Sequence, residues 1–259
     1  MNAPAPKAET LRGENIIAVA SGKGGVGKTW FSITLAGLFA RAGRKTLLFD
    51  GDIGLANVDV QLGLTPTRDL GAVFSGQCAM KDAITRYEKG NFDILAGRSG
   101  STSMANLGAA RMQPAAVQLV SLAESYDNVI IDLGAGIETH VQVMSNLASK
   151  VIVVLTDDPT SLTDAYAFIK LCSTRENPPA IHVVINQAAS QKEGEATYQA
   201  INRATTNFLK FSPPLLGVIR KDNKVKDAIR SQSSLLETAP HTTAASDAAA
   251  ISIKLMKKD

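Results

Sequence analysis

The stretch IIAVASGKGGVGKTW, Ile16–Trp30, decides the fold. A run of β-branched and small apolar residues ends at Ser21, and a glycine-rich segment then opens a helical pattern. That segment spells G-x-x-x-x-G-K-[ST] with Gly22, Gly27, Lys28 and Thr29, in the strand–loop–helix setting that a phosphate-binding loop requires. Glycines permit backbone angles that turn successive N–H groups toward phosphate oxygens, so Gly22, Lys23, Gly24, Gly25, Val26 and Gly27 form the expected cradle. A helix beginning near Lys28 adds its positive dipole end. Lys28 supplies a cation for β and γ phosphates, and the Thr29 hydroxyl can ligate Mg²⁺. Trp30 either packs beneath the loop or brings its ring to the nucleotide. Lys23 is poorly placed for its own phosphates; it is either a solvated loop lysine or a group that projects across a facing subunit.

Outward from this loop, short apolar runs alternate with helical patterns. The runs are Lys45–Asp50, Phe92–Leu95, Asn128–Leu133, Val151–Thr156, Ile181–Asn186 and Leu215–Ile219. Most are continuous rather than alternating, as expected for strands buried on both faces of a parallel sheet. Helices are expected at Thr29–Ala42, Pro114–Ser125, Pro159–Ser173, Glu193–Leu209 and Thr242–Lys258. Strand-then-helix repetition implies right-handed crossovers and an α/β, doubly wound, mostly parallel sheet flanked by helices, the P-loop NTPase fold. Residues 1–13, rich in Pro, Ala and charge, read as a tail, and 14–259 as one domain.

Two further strand ends carry acids. Asp50 and Asp52 close the second run, where open α/β sheets build their sites. Period-two spacing puts both on one side. Asp132 closes the buried run NVIIDL and is followed by Gly134 and Gly136, so it can hold Mg²⁺ through water while the glycines let the loop move. Asn186 ends another strand; its amide offers a donor and an acceptor to the adenine edge, though Asn is also a common turn residue. Asp222 caps the helix that follows it.

Composition excludes several classes. A net charge of +3, from 27 Lys+Arg against 24 Asp+Glu, is too mild to argue for nucleic acid. Lys221, Lys224, Lys226 and Arg230 form a basic helix edge, read as a solvated face rather than a DNA surface. The two cysteines, Cys78 and Cys172, are far apart and outside any C-x-x-C pair, which argues against a disulfide framework or thiolate metal site. His140, His182 and His241 are scattered and read as core or surface residues. No apolar run approaches the ~18 residues of a membrane span. The amino terminus lacks the apolar core of a secretory signal. The chain therefore reads as cytoplasmic.

The loop K-G-G-V-G-K-T at Lys23–Thr29, the GDIGLANVDVQLG segment at Gly51–Gly63 and DLGAGIE at Asp132–Glu138 together resemble the deviant Walker A ATPases of the MinD/ParA family, and most of all its FlhG branch. The resemblance spans about Asn15 to Ile253. It implies an ATPase that binds ATP or ADP with Mg²⁺, dimerises on ATP and hydrolyses it slowly. It makes Lys23 the lysine that reaches the partner subunit's nucleotide. It makes Asp52 the residue that holds the attacking water and touches Mg²⁺ indirectly. Asn57 then lines the nucleotide side of the dimer interface, and Asn186 reads adenine.

LLGVIRKD at Leu215–Asp222 resembles the segment beside the base, with Arg220 in place of the usual proline. The FlhG likeness implies a spatial regulator of flagellum number or placement, partnered by an FlhF-like GTPase or another flagellar regulator, with recruitment to a pole or the inner membrane. Septum positioning and DNA or cargo partitioning are the rival roles within the family. A nucleotide-binding scaffold without hydrolysis is the rival outside it. The tail ISIKLMKKD at Ile251–Asp259 is similar to a membrane-targeting helix but is expected to finish the last domain helix. KAETLR at Lys7–Arg12 is loosely similar to the element that precedes the domain in FlhG.

Overall fold

The computed structural model describes residues 11–52, 54–97 and 109–257. Most of the expected tail, including the Lys7–Thr10 part of the FlhG-like element, and Lys258 at the expected helix end lie outside them. Eight strands form one sheet: β1 (Gly13–Ser21), β2 (Thr46–Gly51), β3 (Ile84–Tyr87), β4 (Phe92–Leu95), β5 (Asn128–Ala135), β6 (Ala148–Leu155), β7 (Ala180–Ala188) and β8 (Leu215–Arg220). Their spatial order is β3-β4-β2-β5-β1-β6-β7-β8, and every pair except β3–β4 is parallel. The helices are α1 (Lys28–Arg41), α2 (Val58–Leu62), α3 (Leu70–Phe74), α4 (Ala109–Ala123), α5 (Thr139–Asn146), α6 (Pro159–Ser173), α7 (Gln191–Leu209), α8 (Asn223–Arg230), α9 (Leu235–Thr238) and α10 (Thr243–Met256).

Both faces of the sheet are covered, which is why its strands read as unbroken apolar runs. Along β1, Ile16, Ala18 and Ala20 enter a core shared with α3 to α7, while Ile17 and Val19 enter a second core shared with α1, α2 and α8 to α10. The chain first builds away from β1 on one side (β2, β4, β3) and later on the other (β6, β7, β8). The phosphate loop thus leaves the central strand where the winding reverses, the place where open sheets leave a crevice.

Three expectations change. Strand β3 was not anticipated: Ile84–Tyr87 is an antiparallel edge strand whose middle, Thr85 and Arg86, is polar, so it offers no apolar run. Helix α4 begins at Ala109, not Pro114, and Pro114 lies inside it. A proline removes only its own N–H bond and crowds the carbonyl four residues back, so the preceding turn survives. The tail reading gives way at its end, because Gly13 is already in β1 and the Arg12 guanidinium donates to the Asn177 carbonyl at 2.7 Å. The carboxyl-terminal stretch finishes the last domain helix, as expected, with Ile253 left exposed. Ile251 and Leu255 are buried, and the Lys254 ammonium donates to the Leu216 carbonyl at 2.6 Å.

Candidate functional site

The loop between β1 and α1 is held by its carbonyls. The Ser21 hydroxyl donates to Lys23 O at 2.7 Å, the Gln187 amide to Gly25 O at 3.3 Å and the Asn186 amide to Val26 O at 2.7 Å. With these carbonyls tied to the protein, the N–H groups are left for an anion. Gly27 has φ 93°, and a Cβ there would meet Asn186 Nδ2 at 2.4 Å and Trp30 Nε1 at 2.5 Å, so only glycine fits. Gly22 packs so closely on the Asp164 backbone that a Cβ would lie 2.1 Å from its carbonyl carbon. Gly24 and Gly25 face open space, and Val26 is buried in the core through its side chain.

The loop lines a cavity of about 680 Å³, whose wall includes Gly24, Gly25, Lys28, Thr29, Asp52, Asn57, Gly134 and His140. A smaller cavity of about 200 Å³ adjoins it and shares Gly25, Gly27, Trp30 and Ile229; it is lined further by Asn186, Arg220 and Asp222. Trp30 is buried against Phe31, its ring edge-on at 6.3 Å between centroids, so it packs beneath the loop, and it also lines both cavities.

Asp132 lies beneath the cavity floor. Its carboxylate accepts from the Ser32 hydroxyl at 2.9 Å and from Thr29. Burial raises its pKa above the ordinary carboxylate range, against the pull of the Lys28 ammonium and these hydroxyls. Asp50 stands beside it, their Cα atoms paired in register across β2 and β5. Burial, with Asp132 next, pushes the Asp50 carboxyl up to about 8. The expectation that Asp50 and Asp52 share one side does not describe what they do. Asp50 turns inward and accepts from Asn57 N and Val58 N, each at 3.1 Å, tying down the start of α2. Asp52 alone reaches the cavity wall, accepting from Leu55 N at 3.2 Å.

The residues fit Mg²⁺. The buried Asp132 carboxyl meets the hydroxyls of Ser32 and Thr29, and the donors on offer are hard oxygens from Thr29, Asp52 and Asp132. Among the described residues no group of three or more His, Cys, Asp or Glu could hold an ion alone. A metal here would rely on phosphate oxygens and water as well, which is how Mg²⁺ is usually bound.

Three residues make contacts that the sequence does not show. The Lys23 ammonium does not extend into solvent. It folds back on the start of α6, 3.0 Å from Asp158 Oδ2 and 2.6 Å from Thr160 Oγ1. Arg220 lines the smaller cavity, yet its guanidinium is committed to Asp247 through bonds of 2.9 and 2.8 Å. Asn186 spends its Nδ2 on the loop, so its first task is to shape the phosphate cradle. Asp222 caps α8 through Lys224 N at 2.9 Å, as expected, and its other oxygen accepts from Ala244 N in the first turn of α10. His140, which reads from the sequence as a core or surface residue, lines the larger cavity, and so do Glu138 and Gln61, to which the sequence assigns no role. For His140 the signal available was its position, two residues past the D-x-x-A-G-I-E pattern, in the first turn of a helix fed by a strand's carboxyl end. The basic edge is partly used as well, since Lys221 and Lys226 line the smaller cavity and Lys224 pairs with Asp227 at 3.3 Å.

Known proteins share this layout. The model of the CobQ/CobB/MinD/ParA nucleotide binding domain matches residues 17–235. The antiactivator FleN of Pseudomonas aeruginosa is 37% identical over 229 residues, covering 88% of this chain and 81% of that protein. The flagellum site-determining protein YlxH of Helicobacter pylori is 33% identical over 244 residues, covering 93% and 82%. Among solved structures, the septum site-determining protein MinD of Pyrococcus horikoshii, complexed with Mg-ADP, superposes with a TM-score of 0.79 at 25% identity, covering 94% of this chain and 96% of that one. The phosphate loop, the acids at the ends of β2 and β5 and the sheet order thus sit in a chain that belongs to the MinD/ParA family of P-loop ATPases, on the FlhG branch that FleN and YlxH represent.

Proposed function

We propose that this chain is a switch that dimerises on ATP, hydrolyses it slowly to ADP and phosphate, and serves as a spatial regulator of flagellum number or placement. The observation that carries the enzymatic part is the meeting, in one cavity, of the carbonyl-tethered loop, Lys28 and Thr29 with Asp52 on the opposite wall. Backbone N–H groups and Lys28 bind and orient the phosphates. Mg²⁺, bound through Thr29 with Asp52 and Asp132 reaching it by water, would neutralise charge that builds on the phosphate oxygens. Asp52, exposed to the cavity, orients the attacking water and accepts its proton. Asn186 and Trp30 keep the loop in its binding shape, while Asp222 sets α8 along the base cavity.

Dimerisation is supported by the mouth of the cavity. Leu55 is 71% exposed and Ile229 36% exposed on its wall, and Ile137 is 45% exposed in the adjoining β5–α5 segment. Exposed apolar side chains beside this cavity suit a face that a second copy covers. Lys23 would then exchange Asp158 and Thr160 for the partner subunit's nucleotide. The name of YlxH, a flagellum site-determining protein, supports the flagellar assignment over septum positioning or DNA partitioning. Partners of the FlhF-like GTPase or flagellar-regulator type, and action in the cytoplasm at a pole or the inner membrane, belong to the same reading. Among the described residues no helix is long and apolar enough to cross a membrane.

Phosphate release from wild type and Asp52→Ala tests the reaction. The wild type should turn over slowly, and the variant should bind ATP but release phosphate at least tenfold more slowly. Equal rates near zero in both would make the chain a binding scaffold.

A further inference from the structure

One side chain in the larger cavity has no task in the cycle above. His140 stands in the first turn of α5 and shares the cavity wall with Asp52, Gly134 and Glu138. Its ring and the Asp52 carboxylate close on the same glycine: a Cβ at Gly134 would lie 3.3 Å from His140 Nε2 and 3.4 Å from Asp52 Oδ1. The ring is half-buried and has no hydrogen-bond partner among the described residues. With no such partner, its ring nitrogens are available to a ligand in the cavity.

The two cavities set which part of a nucleotide reaches this group. The smaller one, by Asn186 and Arg220, joins the larger at Gly25, Gly27, Trp30 and Ile229. A base lodged there, with phosphates laid on the Gly22–Thr29 loop, directs the last phosphate toward the wall made by Asp52, Gly134 and His140. The segment carrying His140 is jointed on one side and anchored on the other. Gly136, at φ 95°, precedes it, while Val141 and Met144 immediately beyond are fully buried in the core. A pull on the imidazole is therefore a pull on the first turn of α5.

We propose that His140 recognises the terminal phosphate of a nucleoside triphosphate, donating a hydrogen bond from Nε2, and so lets α5 distinguish ATP from ADP. This rests on the nucleotide reading of the cavity. Gly134 leaves room between the two: an added Cβ would crowd the ring at 3.3 Å and only touch Asp52 at 3.4 Å.

The test titrates wild type, His140→Ala and His140→Gln with ADP and with the non-hydrolysable triphosphate AMPPNP, each with Mg²⁺. His140→Ala should weaken AMPPNP about tenfold or more and leave ADP unchanged, as expected for loss of a hydrogen bond to a charged group. His140→Gln, which retains an Nε2 donor, should recover most of the loss. In the wild type, the ¹⁵N resonance of the His140 ring should move with AMPPNP and stay put with ADP. Equal affinity losses for both nucleotides in the alanine variant, or none for either, would overturn the proposal while leaving the nucleotide reading intact. A wild type that bound neither nucleotide would overturn both.

Discussion

Replacing Lys23 with alanine separates what this residue does in one chain from what it does between two. Within the chain, its ammonium pairs with Asp158 at 3.0 Å and Thr160 at 2.6 Å, but both charged side chains remain close to half exposed, 41% and 45%. Solvent screening leaves such a pair little to contribute, so Lys23→Ala should melt within about 2 °C of wild type. Asp158 keeps its own work in the variant, because its other oxygen caps α6 through Thr160 N at 2.8 Å. Nucleotide affinity of the monomer should likewise hold, since Lys28 and the loop N–H groups are untouched.

The dimer is another matter. There each Lys23 would bind a phosphate in a water-excluded interface, and truncating one partner of such a buried charge pair typically costs about 2–5 kcal/mol. Twofold symmetry doubles the loss, so at least ~4 kcal/mol, or roughly a thousandfold in dimer affinity, should disappear. Sedimentation velocity at micromolar protein with ATP and Mg²⁺ reads this directly. Wild type should shift to a dimer in ATP and stay monomeric in ADP, and the variant should be monomeric in both. A variant that dimerised like wild type would refute the intersubunit role of Lys23 and make the Asp158 contact its resting place.

Other consequences can be checked separately. Asn186→Ala removes the donor to Val26 O, so it should weaken ATP and GTP by the same factor; a changed ATP-to-GTP ratio would instead make Asn186 a reader of the base. Asp222→Ala removes caps from both α8 and α10 and should cost about 1–3 kcal/mol by calorimetry, with no loss at all contradicting the double cap. Burial pushes the Cys172 thiol up to about 11. Because this folded value lies above the unfolded one of 9.0, its contribution to stability is full below pH 9 and is lost as pH rises through 11. In the native protein at pH 8, iodoacetamide should modify half-buried Cys78 and spare Cys172, whereas equal modification of the two would show that this part of the core opens.

Much of the fold was open to reading because the central strands are buried on both faces, and continuous apolar runs report that directly. The phosphate loop was legible for a related reason: its glycines answer to local backbone and packing demands, as Gly27 does against Asn186 and Trp30. What stayed hidden depends on residues that meet only after folding. The Lys23–Asp158 contact joins positions 135 residues apart. The Arg220–Asp247 pair turns an apparent base contact into a clamp between β8 and α10. Period two put Asp50 and Asp52 together, but β2 ends at Gly51, so the alternation stops before Asp52 and the two acids part. His140 was passed over because an isolated histidine carries no spacing signal. Only the fold sets its ring beside Gly134 and the Asp52 carboxylate.

The whole account depends on the loop gripping a triphosphate. Isothermal calorimetry of the purified chain with ATP and Mg²⁺ asks this most directly, with Lys28→Ala as the control. One nucleotide should bind per chain in the wild type, and binding should fall by at least tenfold in the variant. A folded wild-type protein that took up no ATP would contradict the account at its root.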